Sequence, residues 1–359
     1  MRTRTRSPRV TAAALAASAA LLLGLTVAPA ADAASPHRDR AATLDDLARQ
    51  HGRYFGSAVD NPELADTPYA DLLGTEFGQT TPGNGMKWDA TEPRRGVFDF
   101  TAGDEIVNYA KAKGLKVRGH TLLWHNQLPS WLTSGTWTAD ELRSILKNHI
   151  TKVVKHYRGK VFAWDVANEI MNEDGTYREN IFYKTLGPGY IADALRWARA
   201  ADPRVKLYLN DYNVEGTGAK SDAYYTLIKR LKADRVPIDG FGMQAHLALQ
   251  YGFPYQMRQN IQRFADLGVD VAITELDIRM ILPSDATELA QQADWYGQVT
   301  SACLAVRRCV GITLWGYSDR HSWIPATFPG EGAALPWDEN LRHKPAYDAL
   351  RKALTATTS

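Results

Sequence analysis

The sequence has few cysteines, almost no net charge and a single long hydrophobic run. Only two cysteines occur among 359 residues, which excludes a small scaffold held together by disulfides. The formal charge is +2 with 23% charged residues, so the chain lacks the basic surface of a nucleic-acid-binding protein. Hydrophobic residues make up 45% of the chain, which excludes wholesale disorder and allows a large core.

The long hydrophobic run lies at the N-terminus. Four arginines precede the apolar residues 12–28, and small residues follow them. This pattern is typical of a secretory signal peptide, predicted over residues 1–34, whose removal leaves a formal charge of about −1. A retained membrane anchor is the alternative, but the run is short for a span and Pro29 follows it. We therefore predict a secreted, extracellular protein that binds no nucleic acid, inserts in no membrane and needs no obligate protein partner.

Both cysteines lie near the C-terminus, at Cys303 and Cys309. Export places them in an oxidising compartment, and their short separation allows them to close a small loop. We expect a disulfide between them. Two separate thiols, one in a helix and one in the following strand, are the alternative.

The rest of the chain shows no sign of a second module. A short polar leader is predicted over residues 35–42, and from there on the sequence has no linker, low-complexity tract or block of like charges. One catalytic domain is therefore predicted over residues 43–355, followed by a tail over 356–359.

Short apolar or β-branched runs recur along this domain, and helical patterns such as 139–157 follow them. Eight strands alternating with helices predict an α/β fold, a single-domain (β/α)8 TIM barrel. An open doubly wound sheet is the alternative, but no GxGxxG follows the first strand. The predicted strands cover residues 54–59, 76–80, 116–121, 161–166, 206–210, 240–245, 271–274 and 311–315.

Polar and aromatic residues cluster after these strands, and two glutamates stand out among them. Glu169 follows the fourth apolar run and Glu275 follows the seventh. The ends of parallel barrel strands open onto one face, so the two carboxyl groups are expected to face each other there. Paired carboxyl groups in a cleft with tryptophans favour glycoside hydrolysis. A single glutamate at a strand end can also be a buried salt-bridge partner.

Six segments carry a resemblance to a known family. They are GMKWDATEP (85–93), GHTLLWH (119–125), WDVANE (164–169), NDYN (210–213), TELDI (274–278) and LWGYSD (314–319). In this order they resemble the endo-1,4-β-xylanases of glycoside hydrolase family 10, and we expect a member of bacterial type. The resemblance implies a retaining enzyme that cleaves internal β-1,4 bonds of xylan and xylo-oligosaccharides without cofactor or metal.

The resemblance also implies the roles of the site residues. Glu169 is expected to be the acid/base and Glu275 the nucleophile, with carboxyl groups about 5 Å apart, Glu169 initially protonated and Glu275 ionised. Asp277 is expected to orient His246 behind the nucleophile, and His125 to lie in the same supporting layer. The expected sugar-binding residues are Asn84, Lys87, His120, Trp124, Gln127, Asn168, Tyr212, Gln244, His246, Trp315 and Trp323.

One departure from the family pattern bears on sugar binding. Glycines occupy positions 83 and 85, where many family members carry larger residues, and at Gly83 often a glutamate. The segment is therefore expected to lack one sugar-binding carboxylate.

Three other functions compete with this interpretation. A related barrel that hydrolyses β-1,4-glucan would use the same chemistry, and a secreted barrel that only binds glycans would need no paired glutamates. A metallohydrolase would use His120, His125 and His246 with Asp277, but the spacing of these residues fits no tight zinc motif.

Overall fold

The structure, a computed structural model, describes residues 41–356. The predicted signal peptide and most of the predicted leader lie outside these residues. The chain divides into two units, Met1–Ala41 and Ala42–Ser359, and every helix and strand described below belongs to the second. None of the helices within residues 41–356 has the length and apolar character needed to cross a bilayer.

The described residues contain ten strands and fourteen α-helices, with short 3₁₀ helices at Leu249–Tyr251 and Asp319–His321. The strands are β1 (Tyr54–Val59), β2 (Gln79–Pro82), β3 (Lys116–Gly119), β4 (Ala163–Asn168), β5 (Lys206–Asp211), β6 (Gly240–Met243), β7 (His246–Ala248), β8 (Asp270–Ile281), β9 (Cys309–Leu314) and β10 (Glu331–Gly332). The helices are α1 (Leu44–Gln50), α2 (Asn61–Leu64), α3 (Thr67–Glu76), α4 (Trp88–Thr91), α5 (Thr101–Lys113), α6 (Ser130–Thr133), α7 (Ala139–His156), α8 (Ile181–Leu186), α9 (Tyr190–Ala201), α10 (Ala219–Ala233), α11 (Met257–Asp266), α12 (Ala286–Leu304), α13 (Ile324–Thr327) and α14 (Pro345–Thr355).

Eight of these strands form a closed parallel barrel. Pairing runs from β1 through β2, β3, β4, β5 and β6 to β8, and β9 closes the ring by pairing with both β8 and β1. The closed ring confirms the predicted (β/α)8 barrel and excludes the open sheet. All eight carboxyl ends therefore meet at one face.

Burial explains why the barrel strands read as apolar runs. Every residue of β1 and of β4 is buried, because one face points into the barrel and the other packs against helices.

Local sequence signals determine where the helices begin and end. Thr138 and Glu141 form a capping box before α7, and Gly114 ends α5 with φ of 74°.

Several predicted strands are shifted by a few residues. The second was predicted over 76–80, but Glu76 is the last residue of α3, where its carboxylate accepts a hydrogen bond from the Leu44 N–H (2.9 Å). The fourth, predicted over 161–166, begins at Ala163, where its ladder with β5 begins. The third and sixth end earlier than predicted because their ladders end at Gly119 and Met243.

The seventh barrel strand is much longer than predicted. It was predicted over 271–274, whereas β8 continues to Ile281, because its outer half pairs with β7 and, antiparallel, with β10. Glu275 therefore lies within the strand rather than after it. The register of β7 and β8 also sets His246 opposite Asp277.

A disulfide joins Cys303 in α12 to Cys309 at the start of β9. The predicted pairing is confirmed, and the alternative of two separate thiols is wrong. The bond lies at the amino end of β9, whereas Trp315 follows the carboxyl end of the same strand.

Candidate active site

A cavity of about 560 Å³ opens at the carboxyl ends of the barrel strands. Glu169 follows β4 directly, and Glu275 points into the same cavity from β8. The expected sugar-binding residues all line this cavity: Asn84, Lys87, His120, Trp124, Gln127, Asn168, Tyr212, Gln244, His246, Trp315 and Trp323. Asp277 and His125 do not line it and lie behind the lining residues.

Glu275 is only 4% exposed, and both of its carboxylate oxygens have partners. Asn210 Nδ2 donates to Oε1 at 2.8 Å, and His246 Nε2 lies 3.1 Å from Oε2. Burial acts to raise the pKa of Glu275, but the hydrogen bond from His246 and the charges of His120 and His246 outweigh it and lower the pKa. Glu275 is therefore ionised at neutral pH.

His246 lies between two carboxylates. Its Nδ1 is 2.9 Å from Asp277 Oδ2, and Trp323 Nε1 donates to the same oxygen at 2.8 Å. Burial acts to lower the pKa of His246, but Asp277 and Glu275 outweigh it and raise the pKa to about 10. A protonated imidazole donates from both nitrogens, so His246 holds Glu275 with a charged hydrogen bond.

Glu169 has neutral hydrogen-bond partners. Its Oε1 accepts from Gln244 Nε2 at 3.2 Å and from Asn168 Nδ2 at 3.3 Å, and its Oε2 lies 3.9 Å from His125 Nδ1. Glu169 has φ of 54°, and Arg178 Nε donates to its backbone carbonyl at 3.0 Å. The backbone just after β4 thus turns sharply, which directs the carboxyl group into the cavity.

Asn210 and Asn168 link the two glutamates. Asn210 Nδ2 donates to Asn168 Oδ1 at 2.9 Å as well as to Glu275, while Asn168 Nδ2 faces Glu169. Thr274 Oγ1 donates to Asn210 Oδ1 at 2.6 Å and fixes the amide orientation. Asn210 was not among the predicted site residues, although its place in the motif 210–213 near the end of β5 was a usable signal.

A polar cluster lies on one side of the cavity. Lys87 Nζ donates to Gln127 Oε1 at 2.7 Å and to Asn84 Oδ1 at 3.0 Å, and Gln127 Nε2 donates to the same Asn84 oxygen. Lys87 Nζ also lies 4.7 Å from the ring centre of Trp124. Burial lowers the pKa of Lys87, against the charges of Glu275 and Asp60. These groups present donors and acceptors suited to sugar hydroxyls.

Three tryptophans form apolar walls. Trp315 contacts His120 edge to face, with ring centres 5.2 Å apart, and Trp323 contacts His246 at 5.0 Å. Trp124, Trp315 and Trp323 are half-buried and line the cavity, so their faces can stack on flat pyranose rings. The remaining tryptophans pack in or against the core.

His120 is held from inside the barrel. Its Nδ1 lies 3.1 Å from Asp165 Oδ2, and Arg118 Nε donates to the same oxygen at 3.1 Å. Arg118 and Asp165 are fully buried, and burial acts to raise the pKa of Asp165 while Arg118 and His120 lower it. The ion pair thus fixes the ring of His120 at the floor of the cavity.

Tyr212 lines the opposite side of the cavity. Arg178 Nη2 donates to its hydroxyl at 3.0 Å, and Lys220 Nζ lies 3.6 Å from its ring centre. Lys220 pairs with Asp211 at 2.9 Å, and burial raises the pKa of Asp211 to about 7. Both cations restrict how the Tyr212 ring can move.

The structure adds cavity residues that sequence reasoning missed. Asp60 directly follows β1 and Asn213 ends the motif 210–213, so both positions were available signals. The others lie in α2, in the outer half of β8 and in the segments that follow β7 and β9, which no pattern placed at the site. The added residues with polar or aromatic side chains are Asp60, Glu63, Asn213, Tyr251, Arg279, His321 and Phe328.

No three His, Cys, Asp or Glu side chains within residues 41–356 are arranged to hold a metal ion. His120 contacts Asp165, whereas His246 contacts Glu275 and Asp277. These two imidazoles, which the metallohydrolase hypothesis requires, are thus engaged with carboxylates.

Comparisons with known proteins show what this chain is similar to. The sequence model of Glycosyl hydrolase family 10 matches residues 43–353. An endo-1,4-beta-xylanase of Agaricus bisporus is 54% identical over 86% of this chain and 93% of its own length. Endo-1,4-beta-xylanase A of Phanerodontia chrysosporium is 52% identical over 86% of this chain and 76% of its own. The crystal structure of xylanase 10B from Thermotoga petrophila RKU-1 in complex with xylobiose superimposes with a TM-score of 0.85 at 41% identity, covering 87% of this chain and 97% of that one.

These relatives correct one expectation and decide the family. The expected bacterial type is wrong, because the relatives that share more than half of their aligned residues with this chain are fungal. The family model covers far more than half of the chain. The chain therefore belongs to glycosyl hydrolase family 10.

Proposed function

We propose that the chain is a secreted, retaining endo-1,4-β-xylanase with Glu169 as acid/base and Glu275 as nucleophile. The observation that carries the proposal is that Asn168 and Asn210 connect the two glutamates in one cavity. Of these two glutamates, Glu275 is the one that the protonated His246 contacts. The relatives named above are xylanases, and one of their structures holds xylobiose. Xylan and xylo-oligosaccharides are therefore the proposed substrates.

The first step transfers the sugar to the enzyme. Glu275 attacks the anomeric carbon and forms a glycosyl ester, while Glu169 gives its proton to the departing glycosidic oxygen. Before the attack, His246 and Asn210 keep Glu275 ionised and fix the direction of its oxygens. In this proposal Asn168 bonds the 2-hydroxyl of the cleaved sugar.

The second step releases the sugar with its original anomeric configuration. The ester has no charge, so Glu169 no longer faces a negative neighbour, and it takes a proton from a water molecule that attacks the anomeric carbon. Glu275 leaves as a carboxylate and Glu169 is again protonated. The side chain of Glu169 is 12% exposed against 6% for Glu275, consistent with the acid/base being the group that water reaches.

The remaining lining residues bind the sugar chain. In this proposal Lys87, His120 and Gln127 bond hydroxyls on the glycone side, the half of the substrate that becomes attached to Glu275. Tyr212 contacts the leaving-group side. Trp124, Trp315 and Trp323 stack on glycone rings.

Trapping of the glycosyl ester tests this mechanism. Incubation with a 2-fluoro-xylobiosyl donor, followed by protease digestion and mass spectrometry, should place the label on Glu275 because the fluorine slows hydrolysis of the ester. Glu275→Gln serves as the matched control and should take up no label. Labelling at another residue would overturn the assignment.

Substrate preference tests the proposal that xylan, rather than β-1,4-glucan, is the substrate. Initial rates on beechwood xylan should clearly exceed those on carboxymethyl cellulose at equal mass concentration. A preference for the cellulose derivative would overturn the xylanase function and favour a β-1,4-glucanase. Absence of any reducing-end release from either substrate would favour a barrel that only binds glycans.

A further inference from the structure

Two carboxyl groups at one end of the cavity have no part in the mechanism above. Asp60 follows β1, Glu63 belongs to α2, and both line the cavity beside Gly83 and Asn84. The charges of Asp60 and of Glu275 both act on Lys87. Lys87 is therefore close to both carboxylates, and Asn84 joins it to Asp60 by accepting from Lys87 Nζ while donating to Asp60.

Asp60 occupies the space beside Gly83. A Cβ atom on residue 83 would lie 2.7 Å from Asp60 Oδ2 and 3.0 Å from Asp60 Cγ. A larger residue at position 83 would therefore need Asp60 to move. A carboxylate from a different part of the chain thus occupies the space that a side chain at residue 83 would enter.

Asp60 also orients Asn84. Its two oxygens accept hydrogen bonds from the backbone N–H of Asn84 at 2.6 Å and from Asn84 Nδ2 at 2.5 Å. Since Nδ2 is directed to Asp60, the amide oxygen of Asn84 faces the other way and accepts from Lys87 and Gln127. Asp60 is connected in this way to the proposed sugar-binding amides.

Glu63 has one engaged oxygen and one available oxygen. Its Oε2 accepts from the backbone N–H of Asp60 at 2.9 Å, and its Oε1 receives no hydrogen bond from the residues that the structure describes. Burial raises the pKa of Glu63 to about 8, so the group is mostly protonated at neutral pH. A protonated carboxyl group can both donate to and accept from a sugar hydroxyl.

We propose that Glu63 contacts the second sugar on the glycone side, one ring beyond the cleaved sugar, and that Asp60 is a positioning residue that fixes Asn84 for the same ring. This inference rests on the proposed function, because it assumes that the glycone occupies the side of Lys87 and Gln127. It assigns recognition of that ring to residues 60 and 63 in place of a side chain at residue 83.

Two aryl glycosides separate this role from the catalytic one. 4-Nitrophenyl β-xylobioside places two sugars on the glycone side, whereas 4-nitrophenyl β-xyloside places only one. Glu63→Ala should lower the ratio of kcat/KM for the xylobioside to that for the xyloside by about tenfold, mainly through KM, as expected for a lost sugar hydrogen bond. Asp60→Asn should lower the same ratio by about threefold or more, because its amide would face the donors of Asn84.

Matched variants complete the experiment. Glu63→Gln keeps the shape and hydrogen-bonding capacity of the side chain and should restore most of the ratio, and the exposed Glu339→Ala should leave it unchanged. An unchanged ratio in both Glu63→Ala and Asp60→Asn, or equal loss on the two substrates, would overturn the inference. A wild-type protein that cleaves neither glycoside would instead overturn the proposed function.

Discussion

The two glutamates of the cavity have different surroundings. Glu275 is 4% exposed, and Asn210 and His246 occupy both of its oxygens. Glu169 is held by two neutral amides on one oxygen, and its other oxygen receives no hydrogen bond from the described residues. One carboxyl group is thus held at both oxygens and is charged, whereas the other is held at one oxygen only.

The neighbouring histidines show the same contrast. The carboxylates beside His246 raise its pKa to about 10, so it is positively charged next to Glu275. Burial and the cations Arg178 and Lys220 lower the pKa of His125 to about 4, so it stays neutral beside Glu169. Two residues of the same type thus act differently because one lies among carboxylates and the other near cations. Charge at this site is set by neighbours rather than by residue type.

The largest expected effect comes from removing the fixed carboxylate. Glu275→Ala should lower kcat on xylan by about 10⁴-fold or more, since no glycosyl ester can form. Xylotetraose binding, measured by calorimetry, should persist because the sugar-binding residues remain. A loss of less than about 100-fold would contradict the role of nucleophile.

Removing the other carboxyl group should give a smaller loss that depends on the leaving group. Glu169→Ala should lower kcat/KM on xylan by about 10²–10⁴-fold, but much less on 2,4-dinitrophenyl β-xylobioside, whose leaving group needs no proton. Azide should raise turnover of this variant, because an anion can attack the ester without a general base. Equal losses on both substrates would contradict the assignment and remove the contrast between the two glutamates.

The charge on His246 can be tested through the pH dependence of stability. Its pKa is raised from 6.5 to about 10 on folding, so its contribution is fully present below pH 6.5 and is lost as the pH rises towards 10. The free energy of unfolding of the wild type should therefore fall relative to that of His246→Asn across this interval, by at most about 1.4 kcal/mol per pH unit. Urea unfolding at pH 6, 8 and 10 measures the difference. A constant difference would show that folding does not raise the pKa of His246.

The smallest effect on activity is expected at the opposite end of the barrel. Replacing both Cys303 and Cys309 by alanine should lower the free energy of unfolding by about 2 kcal/mol, since the disulfide closes only a short loop. Activity on xylan at 25 °C should remain within about twofold, because neither residue lines the cavity. A large loss of activity in a folded variant would show that the two ends of the barrel are coupled.

Sequence reasoning located the carboxyl groups but misjudged the strand that carries one of them. Glu169 directly follows β4 as expected, since an apolar run ended by polar residues marks the end of a buried strand. The run before Glu275 also ended in polar residues, yet β8 continues to Ile281. Pairing with β7 and β10 extends it, and such pairing between distant segments leaves no local signal.

The sequence by itself determined the alternation of apolar runs and helices, the cysteine pair and the motifs around Glu169 and Glu275. Each of these depends on residues close together in the chain. Only the tertiary structure decided that Asn210 links the glutamates, that His246 and His125 differ in charge, and that Asp60 fills the space beside Gly83. These properties arise from distances between side chains brought together by barrel closure, and local sequence does not encode such distances.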